Sequence, residues 1–581
     1  MTTLHTAPGQ ETPTEAPTDA TRHLCAGVYV NEKFRDLVIG EICTTPYRRV
    51  APSYGFDLVP VMRHAWWATH MSTFLRLTML ASVAAPFFLG HPVTTALTAG
   101  GLALLLLLDR AVSLSAEIAR SDEQRMSHSS KRKRSLKLPS VRDWKYKEEV
   151  RTLKRLGIAA LTVGLVMAVL GMSSPQQSIL AGYLGCAVLG AAALMGAVRQ
   201  VRINRVHKAE TTLRPRKLSA REKVVSVQQD HPCVVYRRPA HKGKDAEERE
   251  KNSVFMLFGE KSPFIGAGEL IHQWNPPMSV QLLRPGSDDQ PLHEREHRYP
   301  PFEPHELVDH LRSAVHQLRG DDENVRLPVD VRDRVYVAEA DASGDRSLLR
   351  GAIGEASMRR IIDEQDPTRH HFLEMSVPDA GSELVATVLL QVGLRGRTLS
   401  LSSAACVLTR TPDSFRKAEE FGQHGKRAVV GAAFGALGSL PREAGSLWHV
   451  VRYPLVLAKA LLLYRRDLTL TPIRNVSIGS RLSVREEQAQ EWSKAQFDKT
   501  RLLGHVKNIE QRLLKATSGF LHSRGVDISD FDDRAMQIIN SGIVNLGGTN
   551  DISNNVVGHA TQINNNVPQW GSGPSQNGNS A

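Results

Sequence analysis

Two long stretches of the chain, residues 77–108 and 156–198, contain no Asp, Glu, Lys or Arg. A helix that crosses a bilayer needs about 20 predominantly apolar residues, so each stretch is long enough for two crossings. Turn signals divide both stretches, at Gly90-His91-Pro92 in the first and at Ser173-Ser174-Pro175 in the second. The sequence therefore predicts four membrane spans in two hairpins, over residues 71–90, 92–108, 156–172 and 178–198.

Basic residues beside these stretches predict the orientation. The loop 109–155 holds 14 Lys and Arg against 7 Asp and Glu, and neither turn is charged. The positive-inside rule places this loop in the cytoplasm, and the two hairpins then leave both termini cytoplasmic in a multi-pass protein of the cell membrane. Arg76, near the inner end of the first span, is expected to reach the headgroups. The side chains expected to contact membrane lipids are Lys131, Arg132, Lys133, Arg134, Arg199 and Arg202.

The net charge of +13 does not indicate nucleic acid as a partner. Its basic residues crowd beside the apolar stretches, and no nucleic-acid-binding motif or interleaved aromatic pattern accompanies them. If the apolar stretches were instead buried helices of a large soluble core, these basic flanks would be unexplained. The five cysteines are scattered without a CxxC pair, so the sequence predicts neither a zinc site nor a disulfide framework.

The remaining residues divide into soluble segments. Residues 1–20 are predicted to be disordered, 21–68 to form an N-terminal cytosolic segment with mixed helix and strand signals, and 199–480 to form a cytosolic α/β domain. Within this domain, residues 425–465 are apolar with basic neighbours. They fit either an amphipathic helix on the membrane surface or core helices of the domain. The predicted strands are 233–237, 254–258, 279–283, 331–338, 372–377, 384–393 and 398–408.

A long helix is predicted over residues 483–524. Ser483 and Glu486 have the spacing of a capping box, and Gly525 is a typical helix stop. Apolar residues recur along the helix at alternating spacings of four and three, which predicts a face that seats another helix, either within the chain or between copies. These residues are Leu502, Val506, Ile509, Leu513, Ala516 and Phe520.

The composition changes sharply beyond this helix. No charged side chain follows Asp551, and residues 535–566 combine β-branched residues with asparagines and glycines. In stacked copies of such a segment, asparagines form amide ladders and alternate apolar side chains form a dry seam, while the low charge removes repulsion. The sequence therefore predicts a segment that is disordered alone and forms amyloid on assembly. Residues 567–581 are predicted to be a disordered tail.

The sequence Ile538-Ile539-Asn540-Ser541-Gly542-Ile543-Val544-Asn545-Leu546-Gly547 resembles the RIP homotypic interaction motif of necroptosis kinases and its relatives among bacterial amyloid signalling sequences. The family core is a branched residue, glutamine, a branched residue and glycine, and here it reads Val-Asn-Leu-Gly. The resemblance implies homotypic or cross-seeded amyloid assembly, linked in bacteria to immunity and cell death. The residues that it assigns to assembly are Ile539, Asn540, Ser541, Val544, Asn545, Leu546, Gly547, Asn550, Val556, Val557 and Gly558.

The sequence contains no constellation that assigns a reaction. His293-Glu294-Arg295-Glu296-His297 matches the HExxH string of zinc proteases, but Pro291 and Pro300 enclose it and no apolar helix face surrounds it. P-loop, Rossmann and nucleophile-elbow patterns are missing. We therefore predict no catalytic residue, metal or cofactor. An enzymatic activity of residues 215–480 remains an open alternative.

Together these patterns predict an α-helical membrane protein with four spans in two hairpins, a cytosolic α/β domain, a long C-terminal helix and a disordered amyloid-forming tail. The rest of the chain resembles multi-pass membrane proteins of actinobacteria, a resemblance that carries no activity. The favoured function is a membrane-anchored signalling or effector protein whose partner is itself or another protein with a matching amyloid motif. The alternative is a structural or scaffold membrane protein whose Asn/Gly-rich tail is inert.

Overall fold

The computed structural model describes residues 16–129, 141–237, 262–286, 290–320, 327–342, 346–463, 468–471 and 476–540. The main helices are α1 (Asp19–Val30), α2 (Glu32–Val38), α3 (Leu58–Phe88), α4 (Pro92–Ser129), α5 (Val141–Ser173), α6 (Pro175–His207), α7 (Ala220–Gln229), α8 (Pro304–His316), α9 (Glu355–Glu364), α10 (Asp413–Glu420), α11 (Gly425–Gly438), α12 (Leu440–Gly445), α13 (His449–Leu463), α14 (Gln496–Ser523) and α15 (Ser529–Asn540). The strands are β1 (Cys233–Tyr236), β2 (Glu269–Gln273), β3 (Met278–Gln281), β4 (Asp330–Ala338), β5 (Arg369–Asp379), β6 (Leu384–Arg395) and β7 (Thr398–Leu408).

Four of these helices, α3 to α6, are long and apolar enough to cross a membrane. They form the two predicted hairpins, with turns at Gly90 and Ser174. The turns contact each other, because the side chain of Gln177 accepts hydrogen bonds from the backbone nitrogens of Val93 (3.0 Å) and Thr94 (3.3 Å). Large apolar side chains along all four helices are exposed, as membrane-facing surfaces require. They include Phe74, Phe88, Leu108, Ile158, Leu161, Val169 and Tyr183.

The helices extend beyond the predicted spans. The first begins at Leu58, where Asp57 caps it, and its opening turns are buried in protein. The predicted loop 109–155 is helical on both sides, because α4 continues to Ser129 and α5 starts at Val141. The charged residues of 109–129 and 141–155 are therefore helical, while the predicted limits of the membrane spans within these helices stay a prediction. Lys131, Arg132, Lys133 and Arg134 lie outside the described residues.

A mixed sheet forms the centre of the second half. Its order is β1-β4-β5-β6-β7-β2, with β3 also pairing with β7; β1 lies parallel to β4 and the other pairs are antiparallel. Six predicted strands match observed strands, and β6 turns into β7 through Gly396 at a positive φ of 61°. The prediction missed β2, and the predicted strand 254–258 lies outside the described residues.

Helices α8, α9, α14 and α15 cover one face of the sheet. The apolar stripe on α14 packs inside the chain, where Leu502, Val506 and Ile509 are fully buried in this core. The predicted start at 483 was wrong, since α14 begins at Gln496. Ser483 is buried, and Glu486 accepts a hydrogen bond from the Gly266 nitrogen (2.9 Å) rather than closing a capping box.

The N-terminal segment covers the other face and is helical rather than mixed. Thr18 caps α1, which starts inside the predicted disordered range 1–20. Burial of Leu24 and Val28 stabilises α1 against α10 and α3. Residues 19 and 20, which were predicted to be disordered, are therefore helical. Residues 1–15 lie outside the described residues. The predicted domain 199–480 is therefore completed by residues on both sides of it, from the N-terminal segment and from α14 and α15.

Helices α11, α12 and α13 show which part of the protein residues 425–463 pack on. Helix α11 packs along α6, α12 lies against α4 and α3, and α13 contacts α3. Leu440 and Ala444 of α12 share a buried cluster with Leu75 and Met79 of α3. These helices are therefore packed on the membrane-length bundle and are not part of the sheet domain's core. The exposed apolar residues of α11, of α13 and of the segment just before α13 are Val430, Phe434, Trp448, Val451, Leu455 and Leu461.

Gly196 permits the close contact between α6 and α11. A Cβ atom at this position would collide with the Ala432 carbonyl oxygen and would lie 2.6 Å from the Ala436 Cβ. Small residues at a helix interface allow backbones to approach closely where apolar helices meet. Gly190, six residues earlier on the same helix, would place a Cβ atom in open space.

We predict that Gly196→Ala separates α11 from α6, because the new methyl group meets backbone and cannot be accommodated by a side-chain rotation. Overpacking of this kind costs about 1–3 kcal/mol. The G196A protein in detergent should unfold at a lower temperature than wild type, and a cysteine pair placed across the α6–α11 contact should cross-link more slowly. Gly190→Ala is the matched control and should change neither result. Equal behaviour of the two variants would contradict the packing.

Candidate functional site

Three helices from distant parts of the sequence meet around Arg76 of α3. Its guanidinium is 4 % exposed and pairs with Glu32 of α2 and, at 2.9 Å, with Glu443 of α12. Arg35 of α2 donates to Ser72 of α3 (2.9 Å) and to Glu32 (2.9 Å). Arg76 therefore does not extend to the headgroups as predicted. It joins the N-terminal segment, the first membrane-length helix and the α12 insert.

The charges at this junction are held by one another. Burial alone would raise the pKa of Glu32, but the hydrogen bond from Arg76 and the charges of Arg76, Arg35 and His449 bring it below its ordinary value. Burial is the larger influence at Asp36 and raises its pKa. A buried charge that loses its partner is far costlier than the pair is stabilising. Removing a charged partner from any one of α2, α3 and α12 would therefore destabilise the packing of the other two helices at this junction.

Arg199 and Arg202 of α6 lie near this junction and have protein partners. Arg199 donates to the Tyr29 carbonyl oxygen (3.4 Å), and the Arg202 guanidinium lies 4.1 Å from the centre of the Trp67 ring. Cation–π contacts of this kind favour a guanidinium that remains near the interface. The predicted contact of both residues with lipid stays a prediction.

A second buried network fixes the N-terminal segment to the sheet. Arg334 of β4 and Glu374 of β5 form a fully buried pair (3.1 Å), and the Tyr54 hydroxyl donates to the same carboxylate (2.7 Å). Arg485, also fully buried, donates to the carbonyl oxygens of Tyr54, Ser382 and, at 3.0 Å, Glu383. Burial lowers the pKa of Arg485 to about 10, which still leaves it charged. The sheet and the N-terminal helices are therefore linked by charge-assisted hydrogen bonds.

Helix α15 attaches the C-terminal end of the described chain to the sheet domain. Phe531 is fully buried and Ala535 nearly so, while Arg534 donates to the Ser279 carbonyl oxygen (2.7 Å). This corrects the predicted amyloid segment 535–566, whose first six residues are helical, including Ile539 and Asn540. Burial of Phe531 and Ala535 favours the helix over an extended strand. The other predicted assembly residues lie outside the described residues: Ser541, Val544, Asn545, Leu546, Gly547, Asn550, Val556, Val557 and Gly558.

A cavity of about 400 Å³ lies between α14 and α15, lined by Lys507, Glu510, Ile538 and Ile539 among others. Glu510 is 1 % exposed and accepts a hydrogen bond from the Trp274 indole (3.1 Å), with His272 at 3.5 Å. Burial raises the pKa of Glu510 despite the nearby Lys507. Burial and the Lys507 charge lower the pKa of His272 to about 4. The base of the C-terminal segment thus rests on groups that tend toward their neutral forms.

Residues 273–553 match the model of the AbeC-like domain family. The AbeC-like family is of a bacterial abortive-infection type. No curated protein and no solved structure matches the chain.

The AbeC-like domain covers just under half of the chain, and its limits do not follow the compact unit around the sheet. It starts at the end of β2 and contains β3 to β7 and all of α8 to α15. It therefore contains α11 to α13, the helices packed on the membrane-length bundle. It also continues past Asn540, through the segment Val544–Gly547 singled out from the sequence.

The histidine-containing motifs form no shared centre among the described residues. The HExxH string holds only a short helix, Leu292–Arg295, whose Arg295 is buried in an ion pair with Asp527. Glu303, His305 and Asp363 come within 4.8 Å of one another. Asp363 accepts hydrogen bonds there from the backbone and ring nitrogens of His305 (3.0 and 2.8 Å), so this half-buried cluster fixes the start of α8.

We predict that Arg76→Met destabilises the folded protein by about 2 kcal/mol, because Glu443 loses its ion pair and Glu32 keeps Arg35 and the Ser446 hydroxyl but loses its second guanidinium. The measurement is thermal unfolding of the full chain in detergent. Arg416→Met is the control, since Arg416 is partly exposed and its ion pairs are with acids of its own helix, including Asp413 (3.0 Å). Its effect should stay within about 0.5 kcal/mol. A loss no larger for R76M than for R416M would contradict the junction.

A second prediction concerns pH. Because burial raises the pKa of Glu510 in the folded protein above its ordinary value of 4.5, ionisation favours the unfolded chain as pH rises above 4.5. Glu510→Gln removes this loss while keeping an acceptor for Trp274. The E510Q protein should unfold at a higher temperature than wild type at pH 7.5, with the difference vanishing near pH 4.

His272 lies 3.5 Å from Glu510 and has a pKa of about 4, so its ring is neutral in the folded protein at pH 7.5 and the comparison at that pH reports the Glu510 charge. Glu294→Gln, at an exposed position, is the matched control and should follow wild type throughout. A difference between E510Q and wild type that does not change with pH would show that burial of the Glu510 charge is not its cause.

Proposed function

We propose that this protein is a membrane-embedded effector of a bacterial defence response of the abortive-infection type, triggered when its C-terminal segment assembles with other copies. The observation that carries the proposal is the AbeC-like domain, whose helices α11 to α13 lie on the membrane-length bundle. Phe434, Trp448 and Leu455 are exposed beside four helices of membrane length. Exposed apolar side chains in such a group are unfavourable in water and favour a membrane protein over a soluble sensor.

In this proposal α3 to α6 cross the cell membrane, and the sheet domain and both termini are cytoplasmic. The excess of Lys and Arg over Asp and Glu in residues 109–155 supports this orientation. Arg199 and Arg202, near the sheet-domain end of α6, fit the same side. The bundle would then be the part that acts on the membrane.

Assembly is assigned to residues 541–558. Their composition fits stacked strands with asparagine ladders, and their pattern resembles the RIP homotypic interaction motif. The AbeC-like domain extends through Gly547 to Ser553, which supports a role of this stretch in the domain. Helix α15 offers a fixed base for the segment, because Phe531 and Ala535 anchor it to the sheet domain. A fibre would bring many bundles together without any new contact between them.

Transmission to the membrane would use the two buried networks. The Arg334–Glu374–Tyr54 network fixes the sheet to the N-terminal segment, and the Arg76 junction fixes that segment to α3 and α12. Crowded sheet domains would therefore load the bundle through these links.

The test uses the full chain expressed in bacteria, with detergent-resistant assembly and growth as readouts. We predict that Asn545→Asp and Gly547→Pro abolish detergent-resistant polymers, by charge repulsion between stacked copies and by loss of a strand hydrogen bond. Growth arrest on overexpression should disappear with them. Asn577→Asp and Gly578→Pro make the same chemical changes in the tail beyond the predicted motif and should behave as wild type.

Polymers that persist in N545D and G547P would refute assembly through this segment. Growth arrest that persists after residues 541–581 are deleted would refute the coupling of assembly to the effect, and would favour a scaffold with an inert tail.

A further inference from the structure

A cavity of about 400 Å³ lies beside the first membrane-length helix, away from the Arg76 junction's ion pairs and from α15. Its walls come from four parts of the chain: Cys43 after α2, one side of α3, the segment leading into α7, and Ala460 of α13. The lining residues are Cys43, Met62, Arg63, Trp66, Lys217, Leu218, Ser219, Arg221, Glu222 and Ala460.

The cavity is positively charged. Arg63, Lys217 and Arg221 line it against one carboxylate, Glu222, which leaves two positive charges in excess. Glu222 is engaged in the capping box of α7, where it accepts a hydrogen bond from the Ser219 nitrogen (2.7 Å). The positive end of the ten-residue helix α7 adds to the same field.

Within the cavity, the Arg221 guanidinium is held in position by the protein and the Cys43 thiol carries no charge. The Arg221 side chain is 2 % exposed, and its Nε and Nη2 atoms donate to the Ile42 carbonyl oxygen at 3.0 and 2.9 Å. Burial raises the pKa of the Cys43 thiol to about 12, although Arg221 and Trp66 oppose the change. The thiol is therefore neutral and adds no negative charge. Arg63 and Lys217 are exposed, which leaves the cavity open to an incoming anion.

The cavity lies where polar protein meets apolar surface. Trp66 of its wall adjoins Trp67, which is 41 % exposed under Arg202, and tryptophans favour the level of lipid headgroups. Ala460 belongs to α13, whose Leu455 and Leu461 are exposed and apolar. If a lipid phosphate lies between Arg63 and Lys217, the acyl chains of that lipid can lie along this apolar surface.

We infer that this cavity binds the phosphate headgroup of an anionic membrane lipid, with Arg63, Lys217 and Arg221 around the phosphate and Trp66 beside the upper acyl chain. The inference rests on the proposed membrane placement of α3. In this inference a bound lipid bridges α3, α7 and α13. The contact of α7 and α13 with α3 would then depend on the lipid composition of the membrane.

The test is binding of phosphatidylglycerol to the purified full chain in detergent, followed by native mass spectrometry, with phosphatidylcholine as the zwitterionic comparison. Arg63→Gln with Lys217→Gln should weaken phosphatidylglycerol binding by about tenfold, since each basic side chain near a headgroup contributes measurably to binding. Arg205→Gln with Lys223→Gln removes equal charge from exposed positions outside the cavity and should change binding by less than about threefold.

Equal weakening by the two double variants would reduce the effect to general surface attraction and overturn the site. Displacement of phosphatidylglycerol by millimolar inorganic phosphate would overturn the assignment to lipid and identify a site for soluble phosphate. The measurement uses dispersed protein, so it does not depend on assembly. A chain that forms polymers yet shows no preference for phosphatidylglycerol overturns the cavity assignment alone.

Discussion

A charged side chain in an apolar helix needs a partner, and Arg76 obtains two. Because Glu32 and Glu443 must reach the depth of that guanidinium, α2 and α12 are drawn against α3 at a level where a simple span would contact only lipid or its own bundle. Most of the remaining architecture is compatible with this one requirement. The N-terminal helices lie between the sheet and the bundle, and the polypeptide returns from β7 to the bundle before it completes the sheet domain's core with α14.

The close contact at Gly196 complements this ionic junction. Ion pairs fix which residues face each other, whereas the missing side chain at Gly196 fixes how near α11 lies to α6. Polar pairing gives selectivity, and small residues give contact area where water is scarce. Together they explain how one chain makes a joint unit of a sheet domain and a bundle that a hydropathy profile would separate.

Those parts of the fold that follow from local patterns could be predicted from the sequence. Uncharged stretches gave the four helices, and alternation gave six strands, because both signals arise from residues close along the chain. The prediction of helix ends was wrong where tertiary contacts engage the predicted capping groups. Glu486 is an example, because it accepts a hydrogen bond from the Gly266 nitrogen instead of capping a helix. The segment 425–465 stayed ambiguous, since an apolar helix has the same sequence pattern whether it lies on a membrane surface or in the core of a domain. The pairs Arg334–Glu374 and Trp274–Glu510 join distant residues, and a single sequence carries no record of such pairing.

Gln177 has a consequence for how the bundle can move. Its side chain ties the first turn of α6 to the first turn of α4, so the two hairpins are fastened at the end opposite the sheet domain. Force applied at the sheet-domain end would then swing the four helices about a shared fulcrum. Sliding of one hairpin past the other would have to break the hydrogen bonds of Gln177 first. The helices of the bundle can therefore separate more easily at the sheet-domain end than at the end with the two turns.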